Sequence, residues 1–421
     1  MNRTILNTGL CLGLVLSLNS QVFANAAPAA GNCCDDHNTR LKKLEDRAVM
    51  STANKVTLSG LVNRAMMWMD NGKDANLTHI DNGGLASRFN LTGTGVLTED
   101  ITVNAIFEVG MHPNSTSTSN SSTGLSAVDV NSSATSAASQ QNILIRKAEA
   151  GFTSKKFGGL LMGRGWMASS GGYETDISGT SAAAAGVAAA GFNGFGLNFL
   201  NSATKAKSGT TVLAIFNPQD LTRKDRVRYD SPKFYGFSAH ASHAHQGTGD
   251  ISDVALRYDG AIGATKLKGL ATWAKDNSAA APTPKAKIWS VNASALFPVS
   301  FTKQEGTGLN LNVVYVNKKN ENVKPKGNIW FGKLGLIERL VSVGNTALAV
   351  DYGRYKNLTA TLVTATTKPT GKTWGLTLSQ RLDPVASEVY AAYRNYDYKL
   401  NGSTTRFKKI NTVLLGAVVK M

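Results

Sequence analysis

Strict two-residue alternation, with no later apolar run long enough to cross a bilayer as a helix, constrains this chain more than any other feature. In residues 101–109, Ile101, Val103, Ala105, Phe107 and Val109 fall on one face. Thr102, Asn104 and Glu108 fall on the other, with Ile106 the one intruder. A period of two is the geometry of a β-strand with one apolar and one wetted face. The pattern returns where Leu309, Leu311, Val313 and Tyr315 oppose Asn310 and Asn312. It returns again where Trp374, Leu376 and Leu378 oppose Gly375, Thr377 and Ser379, and where Val389, Ala391 and Tyr393 oppose Glu388, Tyr390, Ala392 and Arg394. In the last segment Val413, Leu415, Ala417, Val419 and Met421 share a face. Many such strands make either a soluble all-β fold or a barrel with lipid outside and water inside.

The first 24 residues read as a secretory signal. Arg3 gives the positive start, Ile5 to Leu18 the apolar centre, and Val22-Phe23-Ala24 the small-residue cleavage site. About 397 of the 421 residues then remain, which is long for one soluble β-domain and suits sixteen to eighteen strands of about ten residues with turns and loops. Hydrophobic residues make up only 42%, as expected when half of each strand is polar.

The net charge is +17. The basic residues are spread along the whole chain, which argues against a nucleic-acid surface and for a cationic channel or contact with anionic lipid and lipopolysaccharide. Of the three cysteines, Cys11 leaves with the signal, and the adjacent Cys33 and Cys34 have no metal-site or disulfide-framework spacing. No cofactor or metal is implied.

Three regions follow: the signal, residues 1–24; a segment over 25–55; and strands from 56 to 421. In the middle segment Leu41, Leu44 and Ala48 take helical spacing in a charged stretch, a short amphipathic helix with too few heptads to establish a coiled coil. Two stretches break the strand rhythm. His112 to Asn142 is rich in Ser, Thr and Asn, as an extended outer loop is. Met167 to Gly196 carries Tyr173-Glu174-Thr175-Asp176 and an Ala/Gly run, and inside a barrel such a small-residue loop folds inward and narrows the passage.

Several stretches together resemble the general porins of Gram-negative outer membranes. They are Val56-Thr57-Leu58-Ser59-Gly60; Ser87-Arg88-Phe89-Asn90-Leu91-Thr92-Gly93; Arg146 to Phe152 followed by Lys156-Phe157-Gly158 and Gly163-Arg164; Arg226 to Phe237; and Glu388 to Tyr396. The resemblance covers the chain after residue 55. It implies a sixteen-stranded antiparallel barrel, usually trimeric, in the outer membrane, passing small hydrophilic solutes passively. It also implies wall arginines facing acids on an inward third loop. Arg88 sits at one wall position, and its parity agrees because Phe89 and Leu91 face the other way. Arg146 matches a second position. Arg226 and Arg228 match a third region, with the choice between them open. Glu174 and Asp176, the acids of the inward-loop stretch, are the expected opposing charges. By alternation, Lys147 and Glu149 fall on the outward face, towards a subunit interface.

The chain departs from the family pattern in three places. The Pro-Glu-Phe-like loop motif is absent, the first-strand wall lysine aligns with Leu61 with Arg64 as the substitute, and the usual terminal Phe is Met421.

A channel needs no nucleophile; it needs a width and a field. Arginine stays charged and presents a fixed planar head, so an excess of Arg and Lys predicts anion preference. His240-Ala241-Ser242-His243-Ala244-His245 puts His243 and His245 on one strand face and His240 on the other, a lumen or strand-end arrangement more than a metal site. Gly327 to Leu334 mimics a phosphate loop but lacks the Ser/Thr after Lys333. Trp68, Trp330, Tyr393 and Tyr396 are candidates for an interfacial girdle. The expected activity is therefore that of a diffusion channel and not an enzyme. The alternatives are a channel specific for one anionic solute, an outer-membrane lipase using the histidine cluster, or an adhesin or scaffold built on the Ser-rich loop.

Overall fold

A computed structural model describes residues 39–42, 54–111, 143–188, 194, 196–247, 249–278 and 284–421. The chain divides into two units, Met1–Ala53 and Asn54–Met421. In the first, residues 39–42 form a helical turn; the expected signal, the other residues of the 25–55 segment up to 53 and the 112–142 loop lie outside the described residues, and the first strand begins at Asn54, two residues before the expected boundary.

The second unit is one closed antiparallel sheet of sixteen strands. They are β1 (Asn54–Asp70), β2 in two pieces (Ala75–Asp81 and Arg88–Val96), β3 (Ile101–Met111), β4 (Ile143–Ser154), β5 (Gly158–Trp166), β6 (Arg223–Asp230), β7 (Phe237–Gln246) and β8 (Gly249–Ile262). The second half runs β9 (Thr265–Asp276), β10 (Ala286–Phe297), β11 (Gly308–Asn320), β12 (Gly327–Val341), β13 (Gly344–Lys356), β14 (Lys368–Leu382), β15 (Ser387–Asn401) and β16 (Ile410–Lys420). Each strand pairs with its sequence neighbours, and β16 closes on β1 from Leu61↔Lys420 to Asp70↔Asn411. Closure leaves no open edge, the condition a sheet must meet in a bilayer.

Alternation works as the sequence implies on the outside. Phe89, Leu91, Phe107, Phe152, Val254, Trp289, Leu311, Val350, Leu376 and Leu415 all point out and are exposed. Apolar surface on this scale is untenable in water and natural against lipid. Trp68, Trp273, Trp289, Trp330, Tyr352 and Trp374 stand on the same outer face, with Tyr315 and Tyr393 half-buried among them. Tyr396 does not join this girdle: it points inward and is fully buried, because its even position follows Arg394 onto the inner face. Among the described residues no helix is long and apolar enough to cross a membrane.

One end of the barrel has short turns, such as 155–157 and 263–264, and the other has the longer connections. Gly158 closes one of the short turns with φ +86°, and a Cβ there would strike the Asp230 carbonyl. Outer-membrane barrels keep their short turns on the periplasmic side.

The connection from β5 to β6 runs over 167–222, and its described residues, 167–188, 194 and 196–222, fold into the lumen. It is longer than the 167–196 stretch that breaks the rhythm in the sequence. It holds helices α1 (Ser181–Ala184) and α2 (Val212–Phe216) and a small hairpin of Asn198–Leu200 with Lys207–Thr211. Its apolar side chains bury against inward residues of the later strands. Phe216 meets Tyr355 and Tyr396 edge-on, with ring centroids 5.1 and 5.3 Å away, and Phe199 lies 5.2 Å from Tyr398. Ile329, Phe331 and Ile410 complete this core. The inner faces of these strands are therefore not uniformly small or polar, as alternation alone suggests. Where the loop covers them, apolar residues point in as well as out.

The loop also decides where water remains. On the later strands the inward Asn310, Asn312, Thr377, Ser379 and Thr412 are all buried. On β2 and β3 the inward Asn90, Thr92, Thr94, Thr102 and Asn104 stay half-exposed. The hydrated part of the lumen lies against the first strands.

Candidate functional site

The wall beside that hydrated side is built from charged residues on β2 to β7. Glu108 of β3 is its centre, buried on the inner face. Arg146 Nε donates to its Oε1 at 2.5 Å, Arg223 Nη2 lies 3.6 Å from that oxygen, and Arg88 Nη1 3.9 Å. Lys147 Nζ lies 3.8 Å from Oε2. Four cations thus surround one carboxylate. The Arg223 guanidinium also stacks 3.6 Å above the Trp166 ring, a cation–π contact that fixes its plane.

A β-bulge makes this convergence possible. Between Glu108 and Val109 the pairing with β4 shifts, so that Glu108 opposes Lys147 while Val109 opposes Ile145. Arg146 occupies the extra position, and Arg146 and Lys147, adjacent in sequence, both reach the same acid. Without the bulge one of them would point into lipid. This overturns the outward placement of Lys147 and Glu149: opposite Glu108 and Ile106, both face the lumen. Parity read along β4 alone fails because the bulge resets it.

Glu149 pairs with Arg226, which also donates from Nε to the Trp166 carbonyl at 3.0 Å. Gly165 gives them room, since a Cβ there would collide with both side chains. Arg228 donates to Asp230 Oδ1 at 2.7 Å and to the Trp166 carbonyl at 3.2 Å. His240 Nδ1 lies 2.5 Å from the same Asp230 oxygen. Arg226 and Arg228 both face inward, with Val227 and Tyr229 outside, and both hold the root of the inward loop.

Arg64, the substitute for the missing first-strand lysine, does not face the lumen. It shares the outer face with the exposed Val62 and Met66 and pairs with Asp81 at 2.7 Å.

The two loop acids diverge. Glu174 is exposed in the short turn Gly172–Thr175. Asp176 is buried and lies on the far side of the lumen from the arginines in sequence order, paired with Lys333 of β12 at 2.8 Å. Lys333 Nζ also donates to the Ala184 carbonyl at 2.6 Å, and Gly186 N and Ser178 N donate to Asp176 at 2.8 and 2.9 Å. Burial pushes the Asp176 carboxyl up. The Lys333 ammonium and the hydrogen bonds from Lys333 and Ser178 outweigh that and hold it below its usual value near 3.8. The structure therefore joins Asp176 to a lysine, and brings Arg88 and Arg146 together on Glu108.

Sequence reading missed Glu108, Glu149, Asp230, Arg223 and Lys333 as partners. Glu108 carried a signal, as the one acid on the polar face of the most regular strand. Lys333 was hidden in a segment that mimics a phosphate loop but forms strand β12. Beside Arg226 and Arg228, the root of the loop is held from β8: Arg257 Nη2 donates to the Ser170 carbonyl at 2.5 Å, and Ser169 N and Oγ donate to Asp253 Oδ2 at 2.8 and 2.6 Å. His243 and His245 point outward at the end of β7, and His245 Nδ1 lies 2.7 Å from Asp250.

A closed sixteen-strand barrel with an apolar belt outside, a loop folded inside and a charged inner wall defines an outer-membrane diffusion channel. The chain belongs to the Gram-negative porin family, whose pattern matches residues 19–417. Among solved structures it is similar to the anion-selective porin from Comamonas acidovorans, at 15% identity and TM-score 0.56, covering 87% of this chain and all of that one. It is also similar to Salmonella typhi OmpF in complex with daunomycin, at 13% identity and TM-score 0.54, covering 88% of this chain and 99% of that one. A trimer form of Vibrio cholerae OmpT matches at 11% identity and TM-score 0.53, covering 88% of this chain and all of that one. No curated protein matches.

Proposed function

We propose that this porin is an anion-preferring channel for small hydrophilic solutes, with its constriction between the β2–β7 wall and the inward loop. One observation carries the reading. Arg88, Arg146, Lys147, Arg223, Arg226 and Arg228 converge on Glu108, Glu149 and Asp230, six permanent cations against three carboxylates. The excess lies where the lumen stays hydrated, so a passing anion meets an attractive wall and a cation a repulsive one. Glu174, the exposed loop acid, is the opposing charge in this reading, and Asp176 and Lys333 hold the loop that carries it. The neighbouring porin from Comamonas acidovorans is described as anion-selective, which agrees.

The working unit in this reading is a homotrimer in contact with lipid and lipopolysaccharide. The outer face of β3, β4 and β7 offers small residues, Ala105, Ala148, Ala150, Ala239 and Ala241, suited to close packing against another subunit. Reversal potentials across planar bilayers in a KCl gradient test the selectivity. Chloride preference is expected, and clear potassium preference would refute it.

A further inference from the structure

The outer wall carries a feature that the pore does not use. Lys275 of β9 is the cross-strand partner of Lys287 of β10, and Lys287 is the partner of Lys319 of β11. All three are exposed, on the lipid-facing parity. One step towards the barrel centre, Trp273 and Trp289 are themselves direct partners, and the Trp289 ring lies 5.0 Å from that of Tyr315, tilted by 51°. Aromatic rows of this kind sit at the level of lipid headgroups. The lysines stand just beyond that row, at the end where the long connections lie.

Like charges directly opposite one another destabilise a sheet. Among the described residues none of the three has a carboxylate within 4.0 Å. Two of the acids around them are committed or turned away. Asp250 is taken by His245, and Asp276 lies on the inner parity and receives Ser278. Glu321, two residues past Lys319, is exposed and forms no ion pair with any of the three; its backbone N–H donates to the carbonyl of Lys285, a further cation. Three unneutralised ammonium groups in register call for an anion laid across them.

We propose that Lys275, Lys287 and Lys319 form a binding site for the phosphorylated headgroup of an outer-leaflet lipid. The row spans two strand spacings, about 10 Å, which suits a sugar headgroup bearing more than one phosphate. The acyl chains then run down the apolar face through Trp289, Val291 and Tyr315. That continuity selects a lipid over free phosphate. The site depends on the membrane location of the barrel and is independent of its ion preference.

The test titrates the purified full-length protein in mild detergent with bisphosphorylated lipid A, with the same lipid stripped of phosphate, and with inorganic phosphate, read by native mass spectrometry. Preferential binding of the phosphorylated lipid is expected. The triple variant K275Q/K287Q/K319Q should weaken it about a hundredfold, roughly fivefold per lysine, and leave single-channel conductance unchanged. The corresponding triple arginine variant should retain it. If the triple glutamine variant fails to fold, Lys287→Gln alone should weaken binding about fivefold. Undiminished binding by the glutamine variants, equal binding of the dephosphorylated lipid, or displacement of the lipid by an equal concentration of inorganic phosphate would each overturn the site.

Discussion

At the scale of single residues, the pore wall depends on one carboxylate that is outnumbered. Glu108 holds Arg146 at 2.5 Å and keeps three more cations within 3.9 Å. Removing its charge while keeping its shape, as Glu108→Gln, leaves those cations uncompensated. The expected outcome is a reversal potential shifted further towards chloride, with some loss of thermal stability from the unrelieved repulsion. Arg146→Gln should shift it the opposite way. Equal shifts of the same sign would show that neither group acts on passing ions. Sequence alternation placed Arg88 on the inner face, because Phe89 and Leu91 stand on either side of Asn90 without interruption. It misplaced Lys147 and Glu149, because the bulge between Glu108 and Val109 is a property of the paired strands and leaves no mark in β4 itself.

At the scale of elements, the inward loop is held by an apolar seat and by a buried ion pair. Lys333→Met leaves Asp176 in the interior without a counter-charge, held only by the Ser178 and Gly186 amides, a loss on the order of 3–5 kcal/mol. The double variant carrying Asp176→Asn as well should recover much of it, measured as the unfolding midpoint in denaturant. Acid acts on the same pair. Because the Asp176 carboxyl is held below its ordinary value near 3.8, its anchoring is fully present above that pH and is lost as pH falls through the lower folded value. Single-channel recordings should therefore show a steady loop from neutral pH down to about 4 and a noisier or wider channel in stronger acid. Loosening already at pH 5 to 6 would point to another group. The beginning of this loop was legible in the sequence, where Tyr173 to Asp176 and the alanine run break the strand rhythm. Its end was not. The Lys207–Thr211 strand and the apolar turn Val212–Phe216 carry no break in composition to mark them as loop, and it is the packing of Phe216 against Tyr355 and Tyr396 that places the turn inside.

At the scale of the whole molecule, the apolar outside and the charged inner strip set different sensitivities. The belt is indifferent to salt, whereas the field of the strip acts through water and is screened. The screening length falls from about 10 Å at 0.1 M salt to about 3 Å at 1 M. The chloride-to-potassium permeability ratio should thus decline steadily over that range while the barrel remains intact; a ratio independent of salt would place selectivity in direct coordination instead. The fold was readable from sequence because each strand repeats the same two-faced rule. Unequal filling of the interior was not, since it depends on which wall the loop leans against.

The seam between β1 and β16 has a consequence for biogenesis. Gly60 N donates to the Met421 carbonyl at 2.8 Å and Met421 N returns a bond to Gly60 at 3.0 Å, so the seam runs on past the end of β16 along the opening strand. The cylinder cannot be sealed until β16 has reached β1. Until that moment the chain presents two raw borders, each with a row of unsatisfied amides and carbonyls that hydrocarbon will not tolerate. Insertion and sealing must therefore finish as one concerted late event, and the partly made sheet has to be chaperoned up to it.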